Sequence, residues 1–298
     1  MKISELFNKG RTVFSFEVFP PKKDSSVETI YSTLDELKSL SPDFISVTYG
    51  AGGSSADDIT AKIAGYIKGN LNIESVAHLT CVNNTKEDIL SILDVFREHG
   101  IENILALRGD INPDVEPKKN FQYASDLVEF IHKNGDFHIS GACYPEVHVE
   151  SQNAAADIIN LRKKVDAGAT HLMSQLFFDN SLFYNFIEKT KIAGINVPIE
   201  AGIMPVVNKK QIERMVSMCG ASLPSKFVKV MQRYENNPDA LRDAGIAYAT
   251  NQIVDLIANG VDGIHLYTMN NPYIAKKMSE GISWLWNDNC ASKERMEK

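Results

Sequence analysis

Short apolar runs alternate along the chain with longer stretches in which apolar residues recur every three or four positions. The short runs are rich in β-branched and aromatic residues, which favour strands. They predict eight strands, at residues 12–18, 44–49, 73–79, 103–107, 138–144, 171–177, 198–203 and 263–267. The longer stretches have the spacing of helices, most clearly at residues 87–99, 152–167 and 251–258. The pattern therefore predicts alternating strands and helices.

Glycine closes several of the predicted helices. A glycine follows a helical stretch and precedes an apolar strand at Gly100, Gly168, Gly194 and Gly260. Glycine just past a helix end takes the left-handed conformation, and short helix-to-strand loops are typical of parallel sheets. Eight strand–helix units in 298 residues predict an α/β fold, a (β/α)8 TIM barrel. A doubly wound open sheet is the alternative.

The sequence contains no linker, low-complexity tract or break in composition, so we expect one domain over residues 1–298. Residues 222–238 predict an extra helix before the last strand, an insertion that barrel loops tolerate. The net charge of −7 argues against a nucleic-acid partner but leaves room for a local basic pocket. Four cysteines without a C-x-x-C pair predict reduced thiols and no metal site. Without a signal peptide or membrane-spanning run, the expected location is cytoplasmic.

Glu17 is a carboxylate inside a predicted strand. It lies in the run FSFEVFP at residues 14–20, whose other members are mostly apolar. Burial disfavours the charged form of a carboxylate, and proteins use this to keep a general acid protonated near neutral pH. The alternative is an edge strand from which Glu17 faces solvent. The seven residues alone leave both interpretations open.

Chemically useful side chains follow nearly every predicted strand. In a barrel, active-site residues lie at the carboxyl ends of the strands and in the loops beyond them. The residues at these positions are Glu17, Thr48, Tyr49, His78, Arg108, Asp110, Tyr144, His148, Gln175, Asp179, Tyr267 and Asn270. Ordinary turns would place mainly glycine, asparagine and aspartate there. The pattern therefore favours an active site at this end of the barrel.

Three further segments carry candidate chemistry. In Arg108-Gly109-Asp110, the arginine could neutralise a phosphate, and the alternative is an internal Arg108–Asp110 ion pair. The glycine-rich turn at residues 50–55 resembles a phosphate cradle, but we favour a flexible loop whose serines cap the next helix.

The helix predicted at residues 152–167 is the third of these segments. Its Asp157, Asn160 and Lys164 share one stripe, with Lys163 nearby. This set could hold the ribose and pyrophosphate of a dinucleotide. The alternative is a solvated charged face, which is the usual fate of such residues.

Eight motifs resemble those of the methylenetetrahydrofolate reductases. They are FSFEVFPPK at residues 14–22, SVTYGAGG at 46–53, AHLTC at 77–81, LALRGD at 105–110, YASDLV at 123–128, YPEVH at 144–148, NLRKKVDAGA at 160–169 and QLFFD at 175–179. The resemblance extends over residues 10–270. It implies a (β/α)8 barrel that binds FAD and uses NAD(P)H to reduce 5,10-methylenetetrahydrofolate to 5-methyltetrahydrofolate. The implied kinetics are ping-pong, with hydride passing through the flavin.

The resemblance also implies roles for individual residues. Glu17 matches the catalytic acid that protonates the bridging nitrogen of the folate. Asp110 matches an aspartate near flavin and folate that affects the flavin potential and stabilises the cationic folate. Gln175, Gln211 and Tyr267 match substrate-contacting positions. The FAD-contacting positions are matched by Thr48, Tyr49, Ala51, His78, Arg108, Gly109, Asp110, Tyr123, Ala124, Tyr144, His148, Asp157, Asn160, Lys163 and Lys164.

Two positions depart from the family pattern. Asn271 stands where relatives often have an arginine for the glutamate tail of the folate, and Met215 stands where some bacterial members stack a phenylalanine on NADH. These departures favour as an alternative an FAD-bearing subunit that takes electrons from a partner protein. A non-flavin lyase or transferase that uses Glu17 as a proton shuttle is a separate alternative. We expect a homo-oligomer. The chain is not expected to carry the regulatory domain of animal relatives, so inhibition by S-adenosylmethionine is not expected.

Overall fold

The computed structural model describes residues 1–21, 27–49, 54–111 and 116–296. Eight parallel strands close into a barrel in sequence order. They are β1 (Val13–Val18), β2 (Phe44–Val47), β3 (Glu74–Thr80), β4 (Asn103–Leu107), β5 (His138–Cys143), β6 (His171–Ser174), β7 (Ile199–Ile203) and β8 (Gly263–Tyr267). Because β1 pairs with both β2 and β8, the sheet has no edge there. The predicted barrel is confirmed, and the open-sheet and edge-strand alternatives are wrong.

Helices surround the barrel and connect successive strands. They are α1 (Glu28–Lys38), α2 (Ser54–Gly69), α3 (Lys86–Glu98), α4 (Ala124–Asn134), α5 (Ala154–Asp166), α6 (Asn180–Ile192), α7 (Lys209–Cys219), α8 (Ser225–Tyr234), α9 (Pro238–Ala258) and α10 (Pro272–Met296). The four glycines predicted to close helices all have positive φ, between 70° and 125°. None of the described helices is both long enough and apolar enough to cross a membrane.

Two boundaries differ most from the sequence prediction, the end of β6 and the start of α9. The apolar run at residues 171–177 predicts a longer β6, but the strand ends at Ser174. The run continues because Phe177 and Phe178 are buried against helices, where Phe178 stacks on Phe227 with ring centroids 4.9 Å apart. Helix α9 begins at Pro238 rather than residue 251, with the Asn237 side chain accepting a hydrogen bond from the Ala240 amide. Proline in the first turn after an asparagine cap is a helix-start signal. The extra helix before β8 is α8.

A 3₁₀ helix, Ile3–Lys9, closes the amino-terminal end of the barrel. Its Ile3 and Leu6 are buried against Val13 and Phe44 at the base of the interior. Above this apolar floor the interior is polar, with buried serine, histidine and glutamate side chains: Ser15, Ser46, Ser140, His171, Glu200 and His265. Barrel interiors are usually filled by branched apolar residues. The polar side chains of this interior therefore do more than fill space, and they extend to the candidate site at the carboxyl ends of the strands.

Gly245 lets α9 pack against the loop after β7. A Cβ at this position would lie 1.7 Å from the carbonyl oxygen of Val206. We expect Gly245→Ala to destabilise the fold by about 3 kcal/mol, because overpacking forces the helix away from the loop. The measurement is the midpoint of urea unfolding. Gly69→Ala is the control, since a Cβ there meets nothing within 4 Å and should leave the midpoint unchanged or slightly raised. Equal midpoints for the two variants would contradict this packing.

Candidate active site

Two cavities open at the carboxyl ends of the strands. The central cavity, about 300 Å³, lies over the barrel axis and contains Glu17 in its wall. The outer cavity, about 270 Å³, lies between β4, β5 and α5. The two share Leu107, Ala142 and Tyr144 in their walls, so they adjoin each other. One elongated ligand, or two ligands in contact, could occupy them together.

Glu17 lies near the end of β1, and only 7% of it is exposed. Its Oε2 is 3.6 Å from Nε2 of His78 and 3.6 Å from Nε2 of His265. Burial lowers the pKa of His78 to about 4, so this ring is neutral at physiological pH. The hydroxyl of Thr268 donates a 2.7 Å hydrogen bond to the backbone oxygen of Glu17 and fixes the strand at this point. The structure therefore places a shielded carboxyl group between two imidazoles at the base of the central cavity.

A chain of polar contacts continues from Glu17 into the barrel. Nδ1 of His265 lies 2.6 Å from Oγ of Ser15, and this hydroxyl donates a 3.0 Å hydrogen bond to Oε1 of Glu200. The second oxygen of Glu200 lies 3.3 Å from Nε2 of His171, outside hydrogen-bonding geometry. Burial raises the pKa of Glu200 to about 8. The barrel interior therefore holds an acid that keeps its proton at neutral pH.

Other predicted substrate residues form the walls of the central cavity or lie close to it. Gln175 is in the wall, where its side-chain oxygen accepts a 2.9 Å hydrogen bond from the Leu176 amide. The hydroxyl of Tyr267 donates to the Ser174 carbonyl at 2.9 Å, and burial raises the pKa of this phenol, so it stays neutral. Gln211 lies behind Met204, with its Nε2 3.8 Å from the sulfur of Met204. Its buried Oε1 has no hydrogen-bond partner among the described residues.

The predicted stripe of α5 lines the outer cavity. Asp157, Asn160, Lys163 and Lys164 all contribute to its wall. They meet the remaining predicted residues of this side: Arg108, Tyr123, Ala124, Tyr144 and His148. Burial raises the pKa of Asp157 and lowers that of Lys164. Asp157 and Lys164 are half-buried, whereas Asn160 and Lys163 are exposed, so the stripe is only partly a solvated face.

Arg108 forms a bidentate ion pair with Glu150, with nitrogen–oxygen distances of 2.5 and 2.8 Å. The predicted alternative, an Arg108–Asp110 pair, is wrong because the chain turns at Gly109 (φ +86°) and leaves Asp110 exposed at the rim. Asp110 is near enough to contribute to the raised pKa of Tyr144, which burial raises to about 12. The aspartate thus lies beside the cavities, outside the walls described above.

The remaining predicted positions differ in their surroundings. Thr48 lines the central cavity, whereas the hydroxyl of Tyr49 accepts a 3.3 Å hydrogen bond from Asn84. Asp179 caps α6 by accepting a hydrogen bond from the Ser181 amide, so its place after β6 reflects helix chemistry. Ala51, with the rest of the turn at residues 50–53, lies outside the described residues.

The model of the methylenetetrahydrofolate reductase family matches residues 2–282 of the chain. The chain belongs to the methylenetetrahydrofolate reductase family. This confirms the resemblance carried by the sequence motifs. The 5,10-methylenetetrahydrofolate reductase of Pectobacterium carotovorum is 40% identical over 262 residues, which cover 88% of this chain and 87% of that protein. The protein of the same name from Escherichia coli is 37% identical over 262 residues, covering 88% of each chain.

A plant protein and a solved structure extend the comparison. Methylenetetrahydrofolate reductase (NADH) 1 of Arabidopsis thaliana is 39% identical over 284 residues. The chain spans about half the length of this plant relative, since the match covers 48% of it. An uncharacterized Clostridium thermocellum protein, described as binding two copies of 5-methyl-5,6,7,8-tetrahydrofolic acid, superposes with a TM-score of 0.67 at 12% identity. The match covers 96% of this chain and all of that one, and it shows a shared fold.

Several residues of the candidate site in this reductase-family protein were not predicted from the sequence. Glu150 holds Arg108, and Ser15, Glu200 and His265 form the polar chain below Glu17. A signal existed for the latter group. Polar residues occur within apolar strands at these positions, and Ser15 is two residues before Glu17, so both side chains point to the barrel interior. Closure of the barrel then brings them together.

The buried ionisable groups of this family member predict a stability maximum near pH 6.5. Burial lowers the pKa of His78 from 6.5 to about 4, lowers that of His138 and His171 from 6.5 to about 3, and raises that of Glu200 from 4.5 to about 8. Below pH 6.5 the unfolded chain binds protons that the folded histidines refuse, so stability falls with falling pH. Between pH 4.5 and 8 the unfolded chain loses a proton that folded Glu200 keeps, so this group lowers stability with rising pH. Each group changes the unfolding free energy by about 1.4 kcal/mol per pH unit.

The three histidines together outweigh Glu200 below pH 6.5, whereas Glu200 is the one group of these four that acts between pH 6.5 and 8. Thermal unfolding between pH 5 and 8.5 measures the expected maximum. Glu200→Gln should flatten the decline on the alkaline side and keep the decline on the acid side. Parallel profiles for the variant and the unmodified protein would show that Glu200 does not titrate as its burial requires.

Proposed function

We propose that the protein reduces 5,10-methylenetetrahydrofolate to 5-methyltetrahydrofolate, with hydride from NAD(P)H passed through FAD in a ping-pong reaction. The observation that carries the proposal is Glu17, a shielded carboxyl group in a cavity that adjoins a cation-bearing cavity. Membership of the reductase family supports the same reaction. The fold alone would support many chemistries, so the argument depends on these side chains.

The outer cavity fits the diphosphate and ribose of FAD. Its wall combines guanidinium and ammonium groups with an amide and a carboxyl group, from Arg108, Lys163, Lys164, Asn160 and Asp157. Cations and amide donors suit a pyrophosphate, and a carboxyl group suits ribose hydroxyls. When bound, FAD would supply hydride transfer in both directions, to itself from NAD(P)H and onward to the folate.

The central cavity fits flat, largely apolar rings. Its wall includes Leu105, Leu176 and four methionines, at positions 173, 204, 215 and 269. Methionine side chains adapt to ligands of different shape, which suits a site that two ring systems occupy in turn. The side-chain amide of Gln175 offers a polar contact to the folate at one side of the cavity.

Glu17 is the proposed general acid. Its carboxyl group would hold a proton on Oε2 and deliver it to the bridging nitrogen of the folate, which opens the five-membered ring for hydride addition. The neutral His78 ring on one side brings no positive charge that would favour the carboxylate. At the rim, the exposed Asp110 would stabilise the cationic folate and lower the flavin potential through its negative charge.

Anaerobic reduction of the flavin tests the proposal. The purified protein, reconstituted with FAD, should show a flavin band near roughly 450 nm that bleaches with NADH or NADPH. The reduced protein should then be reoxidised by 5,10-methylenetetrahydrofolate. A protein that cannot retain FAD, or whose reduced flavin does not react with the folate, would contradict the proposal.

A second function has one observation in its favour. Met215 lines the central cavity at the position where the resemblance predicts a phenylalanine that stacks on nicotinamide. An FAD-bearing subunit that receives electrons from a partner protein would retain the flavin but not oxidise NADH or NADPH. Including a reduced ferredoxin in the same experiment distinguishes the two functions, because only this second function predicts reduction by ferredoxin alone.

A further inference from the structure

Glu200 is a buried acid that the proposed reaction does not use. It lies on β7 with no exposed surface. The absence of a side chain at Gly263 makes room for it, since a Cβ there would lie 2.5 Å from Cγ of Glu200. Carboxyl groups are rarely buried unless paired, and the cost of burying one is several kcal/mol unless its proton is retained. The space beside Gly263 therefore fits the Glu200 side chain, and a buried acid at this place is expected to do more than fill the interior.

The hydroxyl of Ser15 lies between two partners, Oε1 of Glu200 at 3.0 Å and Nδ1 of His265 at 2.6 Å, and the Ile264 carbonyl is farther away at 3.5 Å. Glu200 keeps its proton at neutral pH. With that proton on Oε2, which faces Nε2 of His171 at 3.3 Å, Oε1 is the carbonyl oxygen and accepts from Ser15. A hydroxyl has one proton to donate. Once Ser15 donates to Glu200, its oxygen can only accept from Nδ1 of His265, which is 2.6 Å away.

The direction of these hydrogen bonds fixes the tautomer of His265. In the tautomer with its proton on Nδ1, the other ring nitrogen carries a lone pair. That nitrogen, Nε2, faces Oε2 of Glu17 at 3.6 Å and the hydroxyl of Ser46 at 3.4 Å. A lone pair toward Glu17 favours the protonated carboxyl group, whereas an N–H there would favour the carboxylate.

We propose that Glu200 is a positioning residue for the acid step: through Ser15 it holds His265 in the Nδ1–H tautomer, so that Glu17 meets a lone pair and retains the proton it delivers. The effect on the reaction depends on the proposed function, but the tautomer does not. The titratable groups that face Glu17 are His78 on β3 and His265 and Tyr267 on β8. His265 is the one among them that Glu200 reaches through a hydrogen-bonded side chain.

Nitrogen-15 NMR of histidine-labelled protein tests the tautomer directly. The chain has seven histidines, and the His265 signals can be assigned from their loss in His265→Asn. We expect a protonated Nδ1 and an unprotonated Nε2 in the unmodified holoenzyme. Ser15→Ala removes the link to Glu200, and Glu200→Gln replaces the acid with an amide that can donate to Ser15. Both variants should increase the Nε2–H tautomer of His265.

Ser140→Ala is the matched control. Its hydroxyl lies 2.9 Å from Nδ1 of His171 in the same polar interior, and among the described residues no hydrogen bond joins it to Ser15, His265 or Glu17. The control variant should leave the His265 signals unchanged. For the reaction, Ser15→Ala should slow reoxidation by the folate about tenfold, a part of the roughly 10²–10⁴-fold that a positioned general acid supplies. Flavin reduction by NADH should not change, and neither half-reaction should change in Ser140→Ala.

Several outcomes would overturn the proposal. An Nε2–H tautomer in the unmodified protein would mean that the hydrogen bonds between Glu200, Ser15 and His265 run in the opposite direction. Equal spectral changes in the two serine variants would indicate a general disturbance of the interior. Unchanged His265 signals in both Ser15→Ala and Glu200→Gln would remove the link itself. Failure of the proposed function alone has a different signature, because the tautomer and its response to Ser15→Ala would persist without any folate reduction.

Discussion

Glu17→Gln is expected to abolish reoxidation of the reduced protein by 5,10-methylenetetrahydrofolate while leaving flavin reduction by NADH nearly unchanged. The amide keeps the shape of the side chain but has no acidic proton. A positioned general acid contributes roughly 10²–10⁴-fold to a rate, and we expect a loss in this range. Stopped-flow absorbance of the flavin, recorded for each half-reaction separately, is the measurement.

The half-reactions respond differently because only one of them needs a proton at the substrate. Hydride transfer from NADH to flavin involves no group in the position of Glu17. The shielded location of this residue, with 7% of it exposed between His78 and His265, makes replacement by bulk water inefficient. Glu17→Asp is the graded control, since aspartate keeps the carboxyl group on a side chain that is shorter by one methylene. An equal decrease of both half-reactions in Glu17→Gln would assign a structural role to the residue.

Most of the barrel could be predicted because its strands and helices have different periods. All eight strands were located, and β4 and β8 match to the residue. The errors lie where apolar residues serve another purpose. Phe177 and Phe178 extend the apolar run of β6, yet they pack against helices after the strand has ended. Local pattern does not distinguish burial in a sheet from burial under a helix.

The part of the candidate site that could be predicted lies at the carboxyl ends of the strands, where the active sites of barrels are found. That rule located Glu17, His78, Arg108 and Tyr144 in the cavity walls. It could not identify the partner of Arg108, because the choice of Glu150 over Asp110 depends on how the chain turns at Gly109.

The polar interior could not be predicted for a different reason. Ser15 and His265 are 250 residues apart in sequence, and only closure of β1 on β8 brings them into contact. Each residue appears in its own strand as an isolated polar position. The connection becomes visible once the register pairs Ser15 with His265 directly.

Lys164→Met is expected to weaken FAD binding by about ten- to a hundredfold without destabilising the protein that lacks the flavin. A hydrogen bond to a charged group contributes about 1.5–3 kcal/mol, and each 1.4 kcal/mol corresponds to a factor of ten in affinity. Lys164 extends across Gly141 into the outer cavity, where its Nζ donates to the Ala142 carbonyl at 2.5 Å. Its ammonium group has no carboxylate within salt-bridge distance among the described residues. The charge is therefore available to a phosphate.

Stability and binding should change in opposite directions in this variant. Burial lowers the pKa of Lys164, which means that the folded protein holds the charged form at a cost. Methionine retains the unbranched stem against Gly141 and removes that cost, so the unfolding midpoint of the flavin-free protein should stay equal or rise. Lys163→Met is the matched control, because Lys163 lines the same cavity from an exposed position and its charge is screened by water. Flavin titration followed by fluorescence quenching gives the affinities. Equal losses for the two variants would mean that the cavity attracts the phosphates by its overall charge rather than through a placed ammonium group.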